Sequence, residues 1–229
     1  MRSKVVILSA IICFSALSLC AQNGNNRYHT FGSEGPRQFK GFFGPLVALS
    51  NVEGNFSIDV GATGGIIIYK RIILGFYGQT MISRPPRTNL AIIGYPSFTG
   101  GEIRMIQGGA VLGYIHKPED EIHWGISSSA GLGILSLYAK DPSMPDKEQI
   151  YDDRVYIVIP KFFVELNMTK WFKVNMSAGY RVVGKVNGIY TNSQTQEIIP
   201  TFYKSGYTKP EFSVALLFGT FGKIKSLLD

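Results

Sequence analysis

The sequence predicts an all-β fold, a closed antiparallel up-and-down transmembrane β-barrel of about eight strands. The first indication is that very short turns and long polar loops alternate between strand-like segments, as in outer-membrane barrels with short periplasmic turns and longer outer loops. The second is that large apolar residues alternate with small or polar ones along the strands. Small and polar residues suit the narrow lumen of an eight-stranded barrel, so the large apolar face is expected to meet lipid.

The N-terminus has the features of a secretory signal peptide over residues 1–21, with cleavage expected after Ala21. Arg2 and Lys4 supply the basic start, and the apolar core that follows is too short for a good transmembrane helix. An alternative is a lipoprotein acylated on Cys20, although the preceding Leu19 is bulky for that processing. A Sec signal peptide predicts export, with the bacterial outer membrane as the destination.

Composition excludes several classes of function. Both cysteines lie in the leader, so the mature chain is expected to have no disulfide and no thiol chemistry. Removing the leader lowers the formal net charge from +7 to +5, and the remaining basic residues form no stripe or motif typical of nucleic-acid binding. The expected partners are outer-membrane lipids and an unknown surface or envelope protein, with no nucleic acid and no cofactor.

The predicted elements follow in order. Residues 22–40 are polar and are predicted to be a flexible periplasmic lead-in, or alternatively a plug for the barrel. The barrel is predicted over residues 41–222 and a short tail over 223–229. The eight strands are predicted at residues 41–49, 56–68, 72–82, 102–114, 122–138, 154–166, 172–183 and 211–221. The short turns are 69–71, 116–121 and 167–171, the long loops are 83–101, 139–153 and 184–210, and a tight joint at 51–55 links the first two strands.

The seventh strand shows the predicted faces best. Val174, Met176 and Tyr180 fall on one face, while Asn175 and Arg181 fall on the other. Both a lipocalin-like soluble barrel and a soluble sandwich share this period of two. A lipocalin, however, places its large apolar residues inside around a ligand, and a sandwich usually carries more Lys, Glu and Thr on its polar face.

Aromatic residues cluster within a few residues of the short turns, and they predict a belt at the periplasmic membrane interface. The alternative is ordinary packing at strand ends. The predicted belt consists of Tyr69, Tyr114, Trp124, Trp171 and Phe172.

Polar residues assigned to the inner face predict an ion-pair and hydrogen-bond network that fills the lumen, because unpaired buried charge is costly. The alternative is a path for protons or solutes, which would need a wet channel that about eight strands do not usually leave. The predicted interior residues are Asp59, Gln79, Arg104, Lys161, Glu165, Asn175 and Arg181.

No catalytic, cofactor-binding or metal site is predicted. His116 and His123 flank one acidic turn, where a metal site is imaginable but an exposed turn is the expected structure. The long loops are the remaining candidates for function, since binding often resides on loops over a rigid scaffold. Residues 89–98 are apolar, 141–153 are acidic, and 189–207 mix Tyr, Thr, Asn and Gln. Such loops either bind a surface partner or cap the barrel.

Residues 160–181 contain the stretch P-x-x-x-V-E-L-N-x-T-K-W-F-K followed by a S-A-G strand. This segment resembles small outer-membrane β-barrel proteins of Bacteroidetes-type bacteria, which are OmpA/OmpX-like barrels, and the Gly64-Gly65 and Gly108-Gly109 pairs are similar too. The resemblance implies a barrel and no reaction, so it transfers no active-site residue. It also implies an aromatic residue near the C-terminus for the barrel insertase, whereas here residues 222–229 follow Phe221.

Together these features predict an integral outer-membrane barrel that is not an enzyme, with a structural or surface-interaction role through its long loops. One alternative is an accessory barrel subunit of an envelope assembly or secretion machine. Another is a soluble lipocalin-like ligand-binding barrel.

Overall fold

The structure is a computed structural model of the chain, and it describes residues 39–87, 101–139, 148–186, 189–191, 198–200, 202 and 204–221. The predicted leader, most of the lead-in, the apolar loop 89–98 and the tail 223–229 lie outside the described residues. The elements in chain order are β1 (Phe39–Val52), β2 (Asn55–Ile68), β3 (Ile72–Met81), β4 (Pro86–Arg87), β5 (Gly101–His116), β6 (Ile122–Ala139), β7 (Glu148–Asn167), β8 (Phe172–Gly184), β9 (Ile189–Thr191), β10 (Ile198–Pro200), α1 (Lys204–Tyr207) and β11 (Lys209–Gly219).

Eight long strands form a closed antiparallel barrel, which confirms the predicted fold class. The order around the wall is β3, β2, β1, β11, β8, β7, β6 and β5, and pairing of β3 with β5 closes the circle. The first and last strands are neighbours, with Leu46 opposite Ala215. Because every long strand pairs on both sides, no long strand of this wall has an open edge.

All eight long strands differ from their predicted bounds by one to six residues at one or both ends, and two of these differences are informative. Strand β7 begins at Glu148, inside the predicted loop 139–153, and its pairing with β6 shifts register between Leu137 and Tyr138. Strand β11 ends at Gly219, two residues earlier than predicted. The chain leaves the wall there because the Phe221 side chain turns into the barrel, where it is buried.

The connection between β1 and β2 is a two-residue turn at the same end as the long loops. Glu53 and Gly54 adopt positive φ angles of 48° and 87°, and the Gly54 N–H donates to Asn51 Oδ1 at 2.9 Å. Positive φ at both central residues matches the right-handed twist of the flanking strands, so a tight hairpin is favoured here. The alternation of short and long joints therefore has one exception.

The inner face also carries large apolar residues at both ends, which the sequence analysis did not predict. The loop-end cluster contains Val52, Met81, Ile103, Met105, Leu135, Leu137, Val155, Ile157, Ile159, Val183, Phe202 and Tyr207. The turn-end cluster contains Leu46, Ile67, Ile73, Ile115, Phe163, Ala215, Leu217 and Phe221. These clusters leave charged groups in the interior shielded from water at both mouths.

Candidate functional site

The strand alternation sorts the predicted interior residues. Asp59, Gln79, Glu165 and Arg181 are buried inside the barrel. Lys161 also lies inside, where it pairs with Glu211. Asn175 lies inside as well and donates a hydrogen bond to Glu165. These six residues do not form one network. They divide into two groups, one centred on Arg181 and the other on Glu165.

The Arg181 cluster consists of Arg181, Asp59, Glu211, Lys161 and Ser50. The guanidinium is fully buried and donates from Nη1 to Asp59 Oδ2 at 3.1 Å and from Nη2 to the Ser50 hydroxyl. Its Nε lies 3.7 Å from Glu211 Oε2, and the Lys161 ammonium donates to the other Glu211 oxygen at 2.8 Å. Two cations and two carboxylates alternate, so the formal charge of the cluster balances.

Further polar side chains hold Asp59 in place. Gln79 Nε2 donates to Asp59 Oδ2 at 3.4 Å, and the Ser57 hydroxyl donates to Asp59 Oδ1 at 3.3 Å. Moving a charged side chain from water into the barrel costs desolvation free energy, and an ion pair offsets that cost only when such hydrogen bonds accompany it. The cluster thus joins four strands (β1, β2, β8 and β11) directly, and it reaches β3 through Gln79 and β7 through Lys161.

The Glu165 cluster lies nearer the short turns and consists of Glu165, His123, Lys173, Asn175 and Asn167. Glu165 Oε2 accepts from Lys173 Nζ at 3.2 Å and lies 2.9 Å from His123 Nε2, while Oε1 accepts from Asn175 Nδ2 at 2.9 Å. Asn167 Nδ2 donates to the Asp120 carbonyl at 2.6 Å. This arrangement ties the turn between β5 and β6 to the inner wall.

The predicted interior network left out three buried charged or titratable members of these clusters: Glu211, Lys173 and His123. Strand parity could have found Glu211, because it alternates with the large apolar residues of β11 and shares its face with the small residues Ser213 and Ala215. Lys173 lies next to a short turn, yet it is buried and its ammonium lies 4.6 Å from the centre of the Phe221 ring.

The interior assignment of Arg104 is corrected by the structure. Its neighbours Ile103 and Met105 are buried on the inner face, so Arg104 faces outward. Its guanidinium lies 4.1 Å from the centre of the Tyr138 ring and 4.0 Å from Glu102 Oε2. The prediction went wrong because it placed the residue by charge and ignored the parity of its strand.

The five predicted belt residues all face outward near the short turns. Tyr69, Trp124 and Trp171 are exposed, and Tyr114 and Phe172 are half-buried. Two stacks run along this end. Trp171 and Phe172 each pack against Phe218, with ring centres 6.1 and 5.1 Å apart, and Trp124 lies between His116 at 4.7 Å and Phe162 at 5.8 Å.

The outer face between this belt and the loop end carries no charge. Every outward position of the described long strands from this belt up to Arg104 and Arg154 is occupied by an apolar, aromatic, small or uncharged polar residue. Many of the large ones are exposed, including Leu132 at 64% and Ile126 at 56% of their full area. The polarity of the wall is therefore the reverse of a soluble protein, with charge inside and apolar surface outside.

Residues of the third long loop close one mouth of the barrel. Phe202 and Tyr207 are buried in the loop-end cluster with their rings edge to face at 5.8 Å. The Tyr207 hydroxyl donates to Glu53 Oε1 at 3.0 Å, and the Glu53 N–H donates to the Gly206 carbonyl at 2.9 Å. This described part of loop 189–207 caps the barrel.

The short-turn end is closed by Phe221. Its N–H donates to the Lys170 carbonyl at 3.0 Å, and its own carbonyl accepts from the Lys40 ammonium. Between the two closed ends, a cavity of about 70 Å³ lies beside Lys161 and Glu165. This space holds only a few water molecules.

Within the described ranges, no three His, Cys, Asp or Glu side chains come together as a metal site would require. No helix among the described residues has the length and hydrophobicity needed to cross a membrane.

No known sequence family and no characterised protein sequence matches this chain. Among solved structures, it is similar to the N-terminal β-barrel domain of Pseudomonas aeruginosa OprF, with a TM-score of 0.43 and 9% identity over 80% of this chain and 97% of that one. Neisserial surface protein A (NspA) is similar with a TM-score of 0.43 and 12% sequence identity, over 82% of this chain and 100% of that one. The attachment invasion locus protein of Yersinia pestis, Ail, is similar with a TM-score of 0.39 and 8% sequence identity, over 79% of this chain and 96% of that one. Likenesses this distant say nothing of function.

Proposed function

We propose that this protein is an integral outer-membrane β-barrel with a structural or surface-interaction role, without catalytic activity and without a conducting pore. The uncharged outer band carries the proposal. Lipid offers no partner for an unpaired charge or backbone group, and a closed barrel with an apolar exterior meets both demands. If this barrel were soluble, its outer wall would expose about thirty large apolar side chains to water, far beyond the usual surface patch.

The aromatic stacks and the short turns support an orientation. Rings such as Trp124 and Trp171 favour the headgroup level of a bilayer, and short turns are typical of the periplasmic side. The long loops and the cap around Tyr207 then lie at the cell surface. A surface partner would contact these loops, while the wall holds them in fixed positions.

Two features support a closed, non-catalytic lumen. Apolar side chains from Phe202, Tyr207 and Phe221 close the two mouths, so ions would meet a dry constriction at each end. His123, the one buried histidine among the described residues, has Nε2 against Glu165 and Nδ1 3.3 Å from the Asp120 carbonyl. Neither ring nitrogen is directed at a serine or cysteine nucleophile, as acyl transfer would need.

Fractionation of the producing bacterium tests the proposal. The protein should stay in the membrane pellet after osmotic shock and alkaline washing, and it should enter solution only with detergent. Unboiled samples should also migrate differently from boiled samples in a denaturing gel, because closed membrane barrels resist detergent until heated. Release by osmotic shock alone would contradict an integral barrel and would favour the soluble alternative.

Planar-bilayer recording tests the closed lumen separately. The purified barrel should give no steady conductance above the lipid background. Large, steady single-channel currents would contradict the closed lumen and would favour a path for solutes through the barrel.

A further inference from the structure

Among the described residues, three outward-facing cations at the loop end lie on neighbouring strands of one side of the wall. Arg104, Arg154 and Lys185, here called the basic rim, belong to or directly follow β5, β7 and β8. At the loop ends of β1, β2 and β11, the outward residues are instead Asn51, Phe56 and Pro210.

The register places the basic rim on one continuous surface. Arg104 is opposite Ser136 on β6, and Ser136 is opposite Asp152 on β7, so Asp152 faces Arg104 across a single strand. Arg154 lies two residues along β7 from Asp152 on the same face and stands about 12 Å from Arg104. Tyr156 follows Arg154 on the same face, and the Lys185 ammonium lies 5.6 Å from the centre of its ring. The three cations therefore border an aromatic surface at the upper edge of the uncharged band.

The charges of the basic rim are only partly balanced within the protein. Glu102 lies 4.0 Å from both Arg84 and Arg104, so one carboxylate serves two guanidinium groups. Asp152 lies on the same face as Arg154, two residues before it. Arg154 and Lys185 are exposed, and no ion pair within 4.0 Å joins either of them to another described residue, so the rim keeps an excess of positive charge. A cation at the edge of a hydrocarbon layer is stabilised by an anion at the same depth, and lipid headgroups supply one.

We propose that the basic rim binds a lipid whose headgroup carries phosphate groups, with its acyl chains lying along the uncharged outer wall below. The inference rests on the proposed membrane location and names the class of lipid at this site. The Arg104 and Arg154 guanidinium groups present planar donors suited to phosphate oxygens, and the Lys185 ammonium adds a point charge. Tyr138 and Tyr156 hold these side chains beside their rings at the headgroup level.

Lipid enrichment in mixed vesicles tests this assignment. The barrel is refolded into phosphatidylcholine vesicles that contain a minor fraction of lipid A, a diphosphorylated lipid, and is then extracted in mild detergent. Mass spectrometry of the co-purified lipid measures how strongly lipid A is enriched over phosphatidylcholine. Wild-type protein should enrich lipid A, and lipid A stripped of both phosphates should show no enrichment.

The decisive variant combines Arg104→Gln, Arg154→Gln and Lys185→Gln. Each removed cation weakens attraction to an anionic surface, so enrichment should fall about tenfold or more. The matched control combines Lys70→Gln, Arg71→Gln and Lys170→Gln at the short-turn end, and it should enrich lipid A as wild type does. Equal losses in both triple variants, or enrichment that survives removal of the phosphates, would overturn the inference.

The same experiment separates this inference from the proposed function. If the barrel enters vesicles but does not enrich the phosphorylated lipid, the result contradicts only the proposal that the basic rim binds such a lipid. A barrel that never enters vesicles contradicts the membrane location, and the inference falls with it.

Discussion

The outer and inner faces of this barrel wall have opposite chemistry, although they are built from alternate residues of the same strands. On β8, Met176, Tyr180 and Val182 project outward, and Lys173 and Arg181 project inward. A soluble barrel with the same period of two would have these faces exchanged. The comparison teaches that the direction of the polarity, rather than its period, indicates which solvent surrounds the wall.

The largest effect is expected from removing the central inner cation, through Arg181→Met. Asp59 would lose its guanidinium, and Glu211 would keep only Lys161, within an interior that holds at most a few water molecules. Leaving a buried charge without its partner costs about 3–5 kcal/mol. Denaturant unfolding of the refolded barrel in vesicles measures this loss of free energy. A loss below about 1 kcal/mol would mean that water reaches the Arg181 cluster.

The second effect reverses the chemistry of the outer face, through Leu132→Arg. This side chain is 64% exposed within the uncharged band. An arginine at the bilayer midplane destabilises a membrane barrel by about 2–4 kcal/mol, falling to about 0–1 near the interface. Ile82→Arg, just beyond the loop end of β3, is the matched control with the small effect. If both arginine variants lost the same free energy of unfolding in vesicles, the outer wall would not lie in a bilayer whose polarity changes with depth.

A smaller effect should separate a buried ion pair from an exposed one. Glu165→Gln keeps the side-chain shape but removes the charge that Lys173 and His123 contact, and loss of such buried charged hydrogen bonds costs about 1.5–3 kcal/mol. Glu119→Gln removes the exposed partner of Lys70 and should cost at most about 1 kcal/mol. The two unfolding free energies, measured in the same vesicles, should differ in that order. If Glu119→Gln lowered the free energy of unfolding more than Glu165→Gln does, the interior would not be less accessible to water than the exposed turn.

The smallest effect concerns the belt, where the two faces meet the membrane boundary. Trp171→Ala removes the ring contacts with Phe172 and Phe218, and such aromatic pairs contribute about 0.5–1.5 kcal/mol each beyond their buried area. Trp171→Phe should recover most of the lost free energy of unfolding. An alanine variant as stable as wild type would leave the belt without an energetic role.

Local alternation predicted the wall well. The strand positions and the inward direction of Asn175 and Arg181 follow from period two alone, because a strand sends successive side chains to opposite faces. Arg104 shows the limit of that reasoning. Its charge suggested an inward position, while the parity set by Ile103 and Met105 places it outward.

The closures of the two mouths could not be predicted from local pattern. Tyr207 meets Glu53 across 154 positions of the chain, and Lys40 meets Phe221 across 181. Such contacts depend on how the strands tilt and pair around the whole barrel, which no short stretch of sequence specifies. The apolar clusters at both ends were missed for the same reason, since their members come from many strands.

Spin-label accessibility along β11 tests the central claim of a lipid-facing outer wall most directly. The chain after residue 21 contains no cysteine, so single-cysteine variants at positions 213 to 218 can each carry one nitroxide label. In vesicles, positions Val214, Leu216 and Phe218 should collide readily with oxygen, which is concentrated in lipid, and poorly with a water-soluble nickel complex. Ser213, Ala215 and Leu217 should be shielded from both. Strong collision of the nickel complex with labels at Val214 and Leu216 would place that face in water and contradict the membrane barrel.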